Sequence, residues 1–84
     1  SLINIIKEEF PIEKKSYLKN IKANNFKLTA GNVHKIKHKI SIFGLEKDYE
    51  LAVKFENQLL NDNKSNQKKF DAILNKITIF LNQL

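Results

Sequence analysis

Cysteine, arginine, methionine and tryptophan are all missing from this 84-residue chain, which holds one proline and two glycines. Without cysteine there can be no disulfide, no thiol nucleophile and no cysteine zinc site. So few glycines and prolines argue against an all-β fold, whose many turns need them. Apolar runs last only a few residues, far short of the ~20 that span a bilayer. The N-terminal Leu2, Ile3, Ile5 and Ile6 are interrupted by Asn4 and followed by Lys7, Glu8 and Glu9, unlike a signal peptide. The expectation is a cytoplasmic domain with no membrane contact of its own. Lacking an initiator methionine, the chain is expected to be a segment of a longer protein.

What is present is ordinary for a globular domain: 42% hydrophobic and 29% charged residues. A chain of this length buries only about 60–65% of its unfolded surface, so one core is all it can build. The net charge is +6, carried on the basic side by lysine alone. Readers of bases and phosphates favour arginine forks, and the aromatics here fall at core spacing, not among the lysines. Nucleic acid is therefore not the expected partner; an acidic protein is.

Hydrophobic spacing divides the chain into helices. Residues 1–9 read as a short helix carrying Leu2, Ile5 and Ile6 on one side. Pro11 suits the first turn of a second stretch that carries Tyr17, Leu18 and Ile21 and ends near Asn24. Whether these two stretches are separate or one kinked helix is open from sequence; two are expected. Asn25 is a plausible N-cap for a helix from Phe26 to about Phe43, and Gly44 fits the left-handed position that ends it. A further helix is expected from Leu45 to Asn61, with Leu45, Ala52, Phe55 and Leu59 inward. After the polar run Asp62–Asn66, a last helix from Gln67 to Leu84 presents Phe70, Ile73, Leu74, Ile77, Leu81 and Leu84. Short connections make successive helices antiparallel neighbours. The predicted fold is all-α: an up-and-down four-helix bundle with a short additional N-terminal helix, forming a single domain over residues 1–84.

On a wheel of ~100° per residue, Phe26, Thr29, Val33, Ile36, Ile40 and Phe43 share one inward arc. His34 lies about 120° from the centre of that arc, on the flank of the helix. Lys27, Gly31, His38 and Ser41 gather around it, and Lys37 stands one turn later, within reach of a group bonded to the imidazole. Lys35 and Lys39 point elsewhere on the wheel and are assigned to docking or solubility. Gly31 costs about 1 kcal/mol against alanine in a helix interior. It either opens an approach to the imidazole or is simply tolerated.

The run His34-Lys35-Ile36-Lys37, followed by Phe43-Gly44-Leu45, resembles the signature of histidine phosphotransfer domains. In that family a histidine is followed three residues later by lysine, and nine and ten residues later by an apolar residue and glycine. Leu51, Ala52, Phe55 and Glu56 are similar to the family's next helix, and Asn25-Phe26 to its upstream Asp/Asn–aromatic pair. The resemblance covers about residues 10–60. Two positions depart from it: His38 replaces a small residue, and Asp48 stands where an apolar residue is common, with Tyr49 as a substitute. Counted from His38 the motif fails, since Ser41 and Asp48 occupy the lysine and glycine places. His34 is thus the phosphoacceptor that the resemblance implies, with His38, Gly31 and Ser41 auxiliary and Gly44 a structural cap.

That resemblance implies a phosphocarrier in a two-component phosphorelay. His34 would accept a phosphoryl group, at Nε2, from the aspartate of a receiver domain and pass it to another receiver. Lys37 would offset the phosphoryl charge. The chain has no glycine-rich phosphate cradle, so it is not expected to be an enzyme with ATP-dependent kinase activity of its own. It needs no cofactor, Mg²⁺ belonging to the partner receiver. The expected partners are response-regulator receivers and a hybrid sensor histidine kinase, of a kind that can be membrane-anchored, of which this is the C-terminal module. A monomer is expected.

Two other readings compete. One is a non-catalytic helical interaction module with incidental histidines. The other is a metal site, since His34 and His38 have the four-residue spacing of paired zinc ligands. Its third ligand, Glu46 or Asp48, would have to reach across a turn. Glu56 reads as a solvated or cap-pairing acid beside the core residue Phe55.

Overall fold

Two three-residue turns and one longer loop join four helices in the computed structural model, which describes residues 1–84: α1 (Leu2–Lys22), α2 (Phe26–Ile42), α3 (Glu46–Leu59) and α4 (Gln67–Asn82). There is no strand. No helix is long and apolar enough to cross a membrane. α2 is central: it packs along α3 on one side and α1 on the other, and α4 closes against α3 and α1.

The expected separate N-terminal helix does not exist. α1 runs without interruption through Pro11. Proline inside a helix removes one backbone bond and costs about 3 kcal/mol. The cost is offset because Ile6, Phe10, Tyr17 and Ile21 lie on one continuous face at helical spacing, and all four are buried. Pro11 sits on the exposed side, where water can take up the carbonyl left without a partner. The other three helices fall where the sequence places them, shortened at their ends by one or two residues. Leu84, expected inward, lies beyond α4 and is exposed.

The turns share one device. After α2, Gly44 adopts φ +70°. Its N–H bonds to Ser41 O (3.0 Å), and the Leu45 N–H reaches back to Ile40 O (3.4 Å), the paired closure that satisfies a helix's last carbonyls. Asn24 does the same after α1 with φ 55°, and Asp62 after α3 with φ 58°. At the start of α2, Asn25 Oδ1 accepts from the Leu28 N–H at 3.3 Å, as its N-cap position requires.

Sixteen apolar residues from all four helices form one buried cluster. Its centre is aromatic: Tyr17 meets Phe55 and Phe70 edge-on, with ring centroids 6.4 and 5.2 Å apart. Such pairs add about 0.5–1.5 kcal/mol beyond area burial. The Tyr17 hydroxyl escapes the core by donating to Asp71 Oδ1 at 2.7 Å. Burial, reinforced by that bond and the Asp71 charge, pushes the phenol well above its ordinary pKa.

Candidate functional site

α2 is seated by Thr29, Ala30, Val33, Ile36 and Ile40, all buried, with Phe26 and Phe43 half-buried at its ends. This arc fixes the helix's rotation and leaves the His34 side chain 53% exposed on the flank facing α3.

Lys39 is not the solvated lysine that the wheel assigned to docking. It is nearly enclosed between α2 and α1, its Nζ 2.9 Å from Glu13 Oε2 and 3.1 Å from Glu9 Oε1. Burial alone would lower its pKa, but the two glutamates outweigh that and hold it above the usual lysine value. Glu13 lies on the inward face of α1, between Phe10 and Tyr17, where the pattern of apolar residues alone shows only a gap.

Across from His34, α3 contributes a residue that the sequence reading undervalued. Glu56 Oε2 lies 3.0 Å from His34 Nδ1, and Glu56 Oε1 lies 2.9 Å from Lys37 Nζ. The carboxylate therefore bridges both motif residues of α2. Its side chain is 18% exposed, and that of Lys37 only 13%. A signal for this was present: Glu56 follows the wholly buried Ala52 by one turn, on the side of α3 that packs against α2. Lys37 is tied to this carboxylate instead of standing free before the imidazole.

The bridge fixes the chemistry of the ring. An ionised carboxylate can only accept hydrogen bonds, so the proton on His34 sits at Nδ1. Nε2 then carries the lone pair. That atom has one close neighbour, His38 Nε2 at 3.4 Å. The two rings meet edge-to-face, with centroids 4.9 Å apart and planes at 88°.

The remaining candidates form a looser surround. Gly31, one turn before His34, is exposed, and a Cβ built there would meet nothing within 4 Å. The glycine is thus not required by packing, and the space above it is open. Ser41 is exposed and lines a shallow depression with Gly44, Leu45, Glu46, Tyr49 and Glu50 at the α2–α3 turn, away from the imidazole contacts. Gly44 acts as the cap just described. Of the proposed third metal ligands, Asp48 pairs with Lys76 of α4. No group of three or more histidines and acids is arranged to hold a metal.

No protein-family model, curated protein or solved structure matches this chain.

Proposed function

We propose that this chain is a histidine phosphotransfer domain, with His34 as the phosphoacceptor. In this reading the four helices form an up-and-down bundle whose α2–α3 flank is the docking face. The observation that carries the proposal is the Glu56–His34 pair: one carboxylate takes up Nδ1–H and leaves the lone pair on Nε2 of a half-exposed imidazole. A nucleophilic nitrogen with no proton to shed is what phosphoryl transfer asks of a carrier.

The step balances without a base. The Nε2 lone pair attacks phosphorus of an aspartyl phosphate, the P–O bond to the aspartate breaks, and the carboxylate leaves with the electron pair. The ring keeps its Nδ1 proton and becomes a cation while phosphorylated. Glu56 then holds the opposite charge 3.0 Å away, a charge-assisted hydrogen bond worth on the order of 1.5–3 kcal/mol. Reversal expels Nε2 toward a second receiver. Lys37 acts through Glu56, holding the carboxylate in place. Phosphoryl transfer is mainly positioning and electrostatics, so a domain offering one oriented imidazole suffices. The receiver would bring its own aspartate and Mg²⁺.

The expected partners are acidic receiver pockets, which the chain's net charge of +6 suits. A hybrid sensor histidine kinase is the parent protein that this role fits, working in the cytoplasm. The test is uptake of an acid-labile, base-stable phosphoryl label from a phosphorylated receiver. His34→Gln is expected to abolish it while circular dichroism stays unchanged; full uptake by that variant would refute the assignment.

A further inference from the structure

His38 stands one helical turn after His34 on the same exposed face of α2. Because Glu56 fixes the His34 proton at Nδ1, the 3.4 Å contact between the two Nε2 atoms can be a hydrogen bond only if His38 supplies the hydrogen. His38 is thus the ring able to donate here, and it lies over the atom that must attack phosphorus. Lys37, one turn along from His34, is engaged by Glu56 at 2.9 Å.

We propose that His38 is a positioning residue for the phosphoryl group. It caps the His34 lone pair at rest and donates to a phosphoryl oxygen once the group is attached. A phosphorus with three oxygens does not fit between nitrogens 3.4 Å apart, so the His38 ring turns aside as phosphorus arrives. Its side chain is exposed and free to do so. After the P–Nε2 bond forms, the oxygens surround the space the His38 N–H had occupied. The same donor that held the lone pair then holds the new anion. This inference rests on His34 being the phosphoacceptor, and it gives the His38 departure from the family pattern a use.

The experiment uses phosphoramidate as phosphodonor, so no partner is needed. The Nε2 lone pair attacks phosphorus, the P–N bond to ammonia breaks, and ammonia leaves with its three hydrogens. Wild type, His38→Ala and His38→Gln are labelled, freed of donor, and followed by ³¹P NMR as phosphohistidine hydrolyses. Loss of one hydrogen bond to the phosphoryl group is expected to shorten the lifetime of His38→Ala about threefold or more. His38→Gln, which keeps an N–H at similar reach, is expected to stay near wild type. In the unphosphorylated protein, the His34 Nε2 ¹⁵N signal is expected to shift in His38→Ala toward that of an unbonded lone pair. Equal lifetimes in wild type and His38→Ala, or a lifetime in His38→Gln as short as in His38→Ala, overturn the role of His38 alone. No label on wild type removes the carrier reading and this inference together.

Discussion

Replacing Glu56 by glutamine tests the central geometry with a minimal change of shape. The carboxylate accepts from His34 Nδ1 at 3.0 Å and faces Lys37 Nζ at 2.9 Å. Glutamine keeps the volume and loses the charge. A hydrogen bond to a charged group is worth about 1.5–3 kcal/mol and a neutral one about 0.5–1.5. The difference between them is about 1–1.5 kcal/mol, and His34 is 53% exposed, so solvent screening favours the lower end. The cationic phosphoimidazole loses this stabilisation, which slows uptake about five- to tenfold. A second effect adds to it. An amide can turn either its carbonyl or its NH₂ toward Nδ1, so the tautomer is no longer locked.

Two measurements follow from this. Phosphoramidate uptake by ³¹P NMR gives the rate. Long-range ¹H–¹⁵N correlation of the imidazole gives the tautomer, with Nδ1–H dominant in wild type and a mixture expected in Glu56→Gln. Urea denaturation checks that the helices survive. If Glu56→Gln takes up phosphate at the wild-type rate and keeps a single Nδ1–H tautomer, the carboxylate does not govern the ring and the mechanism above fails.

Three further outcomes are expected. Lys39→Met leaves the mostly enclosed Glu13 without its cation; with Glu9 54% exposed, the loss lies at or below the low end of the range for broken buried pairs, about 2–3 kcal/mol. Urea denaturation reads it, and adding Glu13→Leu is expected to recover most of it; a stable Lys39→Met alone refutes the reasoning. Gly31→Ala meets no neighbour, so it is expected to stabilise α2 by about 0.5–1 kcal/mol, seen as a rise in Tm, and to slow transfer from a receiver without affecting uptake from phosphoramidate. Stability is expected to fall above about pH 10, because the unfolded chain releases protons there that folded Tyr17 and Lys39 retain. Each retained proton contributes a slope of about −1.4 kcal/mol per pH unit. Both pKa values are raised in the folded state, so both contributions are intact below the unfolded values and lost on the alkaline side. Tyr17→Phe is expected to make the fall shallower, measured by denaturation between pH 9 and 11.

Local sequence determined most of the helical architecture. Asn25 as a cap, Gly44 in the left-handed region and the apolar spacing of α2, α3 and α4 act within a few residues, and such short-range rules can be read along the chain. The exposure of His34 followed in the same way, since the angle between a residue and the buried arc of its own helix is set by helical pitch. What depended on other helices was not visible there. Pro11 looks like a break until Ile6, Phe10, Tyr17 and Ile21 are seen to bury one continuous face against the rest of the core. Lys39 looks solvated until α1 brings Glu9 and Glu13 to it. Glu56 looks solvated until α3 lies beside α2 and places its carboxylate on an imidazole 22 residues earlier. Charge pairing acts over a few ångströms of space, regardless of how many residues separate the partners. Helices and their caps were therefore decided by the sequence itself, and the orientation of the imidazole by tertiary packing.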